Sequence, residues 1–317
     1  MELFPPVPYE SWRDSKETLH RFTQVVGKVR LAAAPRRNHW WNVPFHLTGR
    51  GLTTRPMGLT DKGAFFCIDF DLVSHRLVIT TGDGSEASFA LPGLSVAEFH
   101  RRLMSALAGL GVSVSIALPH PFDLPDAGRP FAEDHEHRGY EPAKVTRYWQ
   151  VLSQVNLVLE QYAGQWSGKA SPVHHFWHTF DIAVTRFSER VVEQPSTVDP
   201  VTREAYSREV ISAGFWFGDS RFPAPAFYSY TAPEPAGLAD QPLAPDSARW
   251  LARDGGHLAV LDYETARTAA SPIDTVQAFL GSAFRAGAVL ADWDIARDAC
   301  PGGVTDPVAM APASGRD

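Results

Sequence analysis

Twice in this chain a run with the apolar period of a helix gives way to a histidine- and tryptophan-rich stretch that alternates like a strand. That order restricts the chain to a mixed α+β fold. Over residues 9–33, Trp12, Leu19, Phe22, Val26 and Val29 recur at helical spacing. Ala34-Pro35 closes the run, because a residue before proline avoids helical torsions. Asn38-His39-Trp40-Trp41 follows, and then Val43, Phe45 and Leu47 alternate with Pro44, His46 and Thr48. A half-buried strand has this pattern, and Pro44 marks an edge or bulge because it cannot donate to a ladder. The second helical run, over 142–162, places Val145, Trp149, Leu152, Val155, Leu159 and Tyr162 on one face. The stretch from His174 to Phe187 then reads as a strand, with Phe180, Ile182 and Val184 on one side and Asp181, Ala183 and Thr185 on the other.

The remaining elements fill out two halves. Strands are expected at 64–71, 76–81 and 87–91, with Gly82-Asp83-Gly84 as the turn between the last two. Ser95 and Glu98 have capping-box spacing, and the helix they start carries Val96, Phe99, Leu103, Leu107 and Leu110 before Gly111 ends it. Residues 112–118 read as another strand. In the second half strands are expected at 209–217, 226–231 and 257–263. A last helix, opened by Ser271 as cap and Pro272, buries Val276, Phe279, Leu280 and Phe284. The expected division is a first α+β half at 1–118, a Pro- and acid-rich linker at 119–141, a second half at 142–298 and a disordered tail at 299–317. Each half is an antiparallel sheet flanked by helices. His39, Trp41 and Arg50 recur at one constant offset as His175, Trp177 and Arg186, which points to an internal duplication or to coincidence.

Composition narrows the function classes. The formal net charge of −7 works against nonspecific nucleic-acid binding, which needs a basic surface. No apolar run approaches the roughly 20 residues of a membrane span. The N-terminus shows neither a basic region nor an apolar signal core, so a cytoplasmic location is expected. Cys67 and Cys300 fit no metal or redox spacing and read as unpaired thiols. No glycine-rich phosphate loop is present, so no nucleotide cofactor is indicated.

The chemistry-bearing groups concentrate around His174-His175-Phe176-Trp177-His178. On a strand, residues four apart share a face but lie about 13 Å apart, too far for His174 and His178 to hold one ion. A divalent metal, if bound, would draw on His174, His39 and His137. For acid–base catalysis His174 and His39 are the candidate proton carriers, with Asp181 to orient an imidazole. For a small anionic ligand Arg50 and Arg186 supply guanidinium forks, and Trp41, Trp177, Trp216 and Tyr228 supply aromatic walls. Each of these side chains also has a structural role open to it, in core packing or in ion pairs that fix the sheets.

Several motifs together resemble a known family. They are Pro8-Tyr9-Glu10-Ser11-Trp12, Gln24-Val25-Val26-Gly27-Lys28, Asn38-His39-Trp40-Trp41 and Arg50-Gly51-Leu52-Thr53-Thr54. Further along are Ser171-Pro172-Val173-His174 running on to Ser188, Ser212-Ala213-Gly214-Phe215-Trp216 and Phe227-Tyr228-Ser229-Tyr230. They resemble a bacterial domain-of-unknown-function family, number 5996, over about residues 6–294. The resemblance implies a soluble bacterial protein and carries no activity. In the family pattern His174, His137 and Tyr140 match, whereas positions 175 and 178 are often not histidine, which moves weight to His174 and His39. The leading functional expectation is a small-molecule enzyme with a pocket where the halves meet. The alternatives are a noncatalytic binder of a small anion and an interaction protein. The oligomeric state is open.

Overall fold

The computed structural model describes residues 2–306. Contacts divide the chain into two compact units. The first comprises residues 1–153, 174–182 and 217–225, and the second comprises 154–173, 183–216 and 226–317. The fold is α+β, with two antiparallel sheets and flanking helices.

In the first unit, helix α1 (Tyr9–Ala33) is buried along most of its length. Its apolar residues Leu19, Phe22, Val25, Val26 and Val29 are all fully buried, and so are polar Ser15, Thr23 and Gln24. A five-stranded sheet runs in sequence order: β1 (His46–Leu47), β2 (Gly51–Thr53), β3 (Phe66–Asp71), β4 (Arg76–Thr81) and β5 (Glu86–Ala90). Period-two alternation sets its register. Ile68 faces Ile79 and Phe70 faces Leu77, so all four bury on one side. Helix α2 (Val96–Gly109) covers that side, where Phe99 stacks on Phe22 of α1 at 4.2 Å and on Phe70 of β3 at 6.2 Å. Its capping box forms as expected, with the Glu98 N–H donating to Ser95 Oγ and the Ser95 N–H to Glu98 Oε2. A second aromatic group joins Trp12 of α1, Tyr148, Phe180 and Phe217, with Trp12 stacked on Tyr148 at 5.2 Å.

Helix α3 (Pro142–Ala163) passes from the first unit into the second at residue 154. Next come β6 (His174–Phe176) and β7 (Asp181–Val191). The second unit continues with α4 (Pro200–Ala205), β8 (Arg208–Trp216), β9 (Ala226–Ala232), β10 (Arg249–Arg253), β11 (Gly256–Asp262), α5 (Tyr263–Arg267), α6 (Pro272–Leu290) and α7 (Ile295–Asp298). The second sheet has the order β10-β11-β9-β8-β7-β6. Strands β8 and β9 are buried along most of their length, as at Val210–Phe215, whereas edge strand β10 stays largely exposed. Gly287 of α6 lies so close to β9 that a Cβ there would meet Thr231 Oγ1 at 2.0 Å.

Several expectations need correction. The strand expected from His174 onward is two strands, because residues 177–180 turn and Phe180 takes a left-handed φ of 60°. The strand expected over 43–47 shrinks to two residues, and a short 3-10 turn at Asn38–Trp40 precedes it. Residues 112–118 belong to no sheet, and the chain bends at 117–118. Residues 119–141, expected as a linker, fall within the first unit and bury Phe131, Asp134 and Tyr140. Ser271 precedes α6 without a side-chain capping bond, although Pro272 does occupy the first turn. Of the expected tail, residues 307–317 lie outside the described residues, whereas Cys300 is buried and the Pro301–Gly303 turn is formed. The constant offset matches unlike conformations. His39 sits in a left-handed 3-10 turn where His175 sits in a strand, and exposed Arg50 corresponds to Arg186 buried in β7.

One contact in the first unit makes α1 intolerant of added volume. Trp177 lies flat against Gly27, where a Cβ would fall 2.2 Å from the indole, and the indole N–H donates to the Val43 carbonyl at 3.0 Å. Gly27→Ala is therefore expected to lower stability by at least about 1–3 kcal/mol, despite the better helix propensity of alanine, when wild type and variant are compared by urea unfolding.

Candidate functional site

Helix α1 buries polar side chains that must each find a partner. Most do. Ser15 donates to the Gly139 carbonyl and Gly139 N–H donates to Thr18. Gln24 Oε1 accepts from Phe122 N–H at 2.6 Å, and its amide donates to the Phe122 and His178 carbonyls. His20 Nε2 lies 3.2 Å from the His178 carbonyl. Arg21, 3% exposed, forks onto Asp126 at 2.5 and 3.0 Å, bonds Glu17 at 2.9 Å and lies 3.7 Å from Asp134. Burial works against ionisation of Asp126 and Asp134. The Arg21 fork on Asp126 and the His137 bond to Asp134 nonetheless hold both carboxyls below the usual range.

Asp126, Asp134 and His137 are the one group of metal-ligand side chains found close together among the described residues. A guanidinium already lies against both carboxylates, so this group reads as a completed ion-pair network. His174 and His39 are not part of it, so the set of His174, His39 and His137 is not assembled.

Arg30, on the same helix, is different. It sits at the C-terminal end of α1, four residues after Val26 and eight after Phe22, and is 5% exposed. Its Nε has no hydrogen-bond partner. The charged groups that act on it are two further guanidiniums, Arg55 and Arg37, and the Cys67 thiol. Burial, reinforced by Arg55, pushes the Arg30 guanidinium down to about 10.

Two imidazoles join this arginine. Phe45 and His175 exchange backbone hydrogen bonds at 2.8 and 3.0 Å across an antiparallel bridge. Their neighbours His46 and His174 are therefore set opposite each other, turned to the other side of the pair. The His46 and His174 rings meet edge-on at 4.9 Å. They are 3% and 0% exposed, and His46 Nε2 and both His174 nitrogens lack partners. On the opposite side His175 Nε2 has a partner, the Tyr148 hydroxyl at 2.8 Å. Burial first, and then Arg55, Arg30 and Arg37, push His46 down to about 3. Burial, His46 and the same arginines hold His174 well below its ordinary value. Arg37 and Arg55 are exposed, so buried Arg30, His46 and His174 are acted on by two solvated guanidiniums. His39, Trp40 and Arg55 nearby in sequence all have left-handed φ, between 53° and 59°. For non-glycine residues this is strain of the sort that gathers at binding sites.

The other expected site residues fall in separate units or are committed to structure. Arg50 is exposed and locks a turn through Asp71 and Ser74. Trp177 is a core residue against Gly27. Asp181 accepts a bond from Thr179 at the start of β7 and does not figure among the groups acting on His174. His39 and Trp41 are brought together, with ring centroids 5.4 Å apart. In the second unit Trp216 and Tyr228 neighbour each other at 5.7 Å across β8 and β9. Arg186, also in the second unit, is enclosed by the rings of Tyr162, Phe284 and Trp166 and donates to the Tyr162 carbonyl at 2.6 Å. The sequence reading missed Arg30, His46, Arg37 and Arg55. The available signal was Arg30 itself, a charge at an apolar position of the helical period.

Two surface depressions lie elsewhere. One of about 370 Å³ in the second unit is lined by Val192–Gln194 and α4 residues, and one of about 920 Å³ in the first runs between Gly58–Phe66 and Leu110–Ser115. Neither includes a histidine, so the buried basic cluster holds the more specific chemistry. A family model described as "Family of unknown function (DUF5996)" matches residues 4–300. No curated protein and no solved structure matches the chain.

Neutral buried imidazoles make stability depend on pH. His46 and His175 are held at about 3 and His178 at about 4, against about 6.5 when unfolded. Below pH 6.5 the unfolded chain takes up protons that the folded chain refuses, so stability is full above 6.5 and falls as pH drops. Urea midpoints should decline between pH 6.5 and 5. In His46→Gln the slope of stability with pH should be shallower by about 1.4 kcal/mol per pH unit. An unchanged slope would mean that His46 titrates in the fold as it does in the unfolded chain.

Proposed function

The chain belongs to the DUF5996 family, whose description names no activity, and we propose from its own residues that it binds a small anionic ligand at the Arg30–His46–His174 cluster. One observation carries this reading. Of two buried arginines on one helix, Arg21 is matched by carboxylates, whereas the groups acting on Arg30 are two guanidiniums and the Cys67 thiol, with no carboxylate among them. A buried guanidinium without a counter-charge is costly, and an oxyanion would supply that charge together with acceptors for the orphan Arg30 Nε–H and for the one N–H that each neutral imidazole carries. A divalent cation fits badly, because Arg30, Arg37 and Arg55 repel it. General acid catalysis by His174 is also disfavoured, since its ring is held neutral well below 6.5 and no carboxylate figures among the groups acting on it. The ligand class is a phosphate- or carboxylate-bearing small molecule.

Inorganic phosphate is the probe. Phosphate at millimolar concentration should raise the melting temperature at pH 8, where it is mainly the dianion. The shift should vanish in a variant carrying Arg37→Ala and Arg55→Asn, both at exposed positions, with asparagine tolerating the left-handed φ of residue 55. Equal shifts in wild type and this variant would reduce the effect to general salt stabilisation and remove the reading. The two buried arginines should respond oppositely. Arg21→Met should cost about 3–5 kcal/mol by stranding its carboxylates. Arg30→Met should leave the unliganded protein as stable or more stable while abolishing the phosphate response.

A further inference from the structure

Residues 113–116 form a run of strand-like sequence that leads into a bend at 117–118, and over 113–118 the backbone has no hydrogen-bond partner among the described residues. The sequence Val112-Ser113-Val114-Ser115-Ile116-Ala117-Leu118 alternates strictly. Val112, Val114 and Ile116 are half-buried and Ser113, Ser115 and Ala117 are exposed. The run therefore lies on the surface as a strand does, with one face down. The groove of about 920 Å³ runs along Leu110–Ser115 and leaves that backbone accessible. Exposed strand edges are ordinarily blunted by a charge, a proline or a bulge. This one carries none of these until Pro119, and Leu118 at its end is 60% exposed.

We propose that this segment pairs with the same segment of a second copy of the chain, antiparallel about Val114, to form a two-fold dimer through an intermolecular sheet. The sequence is self-complementary in that register: Val114 meets Val114, Ser113 meets Ser115 and Val112 meets Ile116. Isologous pairing requires this kind of match. Charge favours a second copy as well. Each chain carries a net −7, yet from residue 103 to residue 122 there is no Lys, Arg, Asp or Glu. Two like-charged molecules can meet there without opposing charges. Across the groove Lys62 and Asp83 carry one charge of each sign, which favours neither a basic nor an acidic peptide. The inference is independent of the anion-binding reading and uses none of its residues.

Sedimentation analysis of the full chain at about 100 µM tests it. The expected species is a dimer. Ser113→Lys with Ser115→Lys sets like charges opposite each other on the exposed face. That variant should weaken dimerisation at least tenfold while its melting temperature and far-UV spectrum stay as in wild type. Val114→Cys should give a disulfide-linked dimer on mild oxidation, because residues paired across a two-fold axis lie within disulfide reach. Wild type, with Cys67 and Cys300 only, should not. A monomer at 100 µM overturns the proposal. So does a dimer untouched by the two lysines, or the absence of the Val114→Cys crosslink.

Discussion

Helix α1 sets the terms for the first unit, because it is buried while rich in polar side chains. A buried apolar helix needs only shape from its neighbours. A helix that buries Ser15, Thr18, His20, Arg21, Thr23, Gln24 and Arg30 needs a matched donor or acceptor at each position. This requirement accounts for segments without regular structure. Residues 119–141 have little secondary structure of their own, yet they bring Phe122 to Gln24, Asp126 and Asp134 to Arg21, and Gly139 to Ser15 and Thr18. The turn after β6 is held in the same way, with the His178 carbonyl on His20 and Gln24 and the Trp177 ring on Gly27.

Against that background Arg30 and the facing imidazoles stand out as the place where the matching stops. The same fold that provides Arg21 with a fork of carboxylate oxygens provides Arg30 with none. Aromatic enclosure, which is how Arg186 is accommodated in the second unit, does not serve Arg30 either. The rings around Arg186 come within 3.9–5.4 Å of its guanidinium, whereas the rings that bear on Arg30's cluster are imidazoles, which gain positive charge when they titrate. A site that stays basic and desolvated loses stability, and that loss is sustained where a ligand recovers it.

What was legible in the sequence followed from periodicity. Leu19, Phe22, Val26 and Val29 located α1, Ser95 and Glu98 located the start of α2, and the alternation of Ile68, Phe70, Leu77 and Ile79 located β3 and β4. The misses have physical causes. Strand alternation at His174–Phe187 concealed a break, because the left-handed φ of Phe180 has no sequence signature in a bulky residue. Proline and acid content at 119–141 suggested a linker, because composition does not reveal that Asp126 and Asp134 answer a buried arginine. His46 was assigned to the outward side of an alternating strand, whereas residues 42–46 are buried on both sides.

The histidine-rich stretch that first suggested a metal site thus divides by function. His175 turns toward the Tyr148 hydroxyl and the aromatic core. His178 uses its carbonyl to satisfy α1. His174 alone turns to the basic cluster, where both of its ring nitrogens stay unpartnered. Adjacent residues in an antiparallel bridge face opposite sides, so the sequence density of imidazoles here reflects two environments separated by one backbone step. Only a long-range partner, His46 brought across from β1 by the Phe45–His175 bridge, makes the second of them a candidate site. A chemical cluster of this kind cannot be seen within one stretch of sequence, because it is assembled by strand register and by the C-terminal end of a helix more than a hundred residues away.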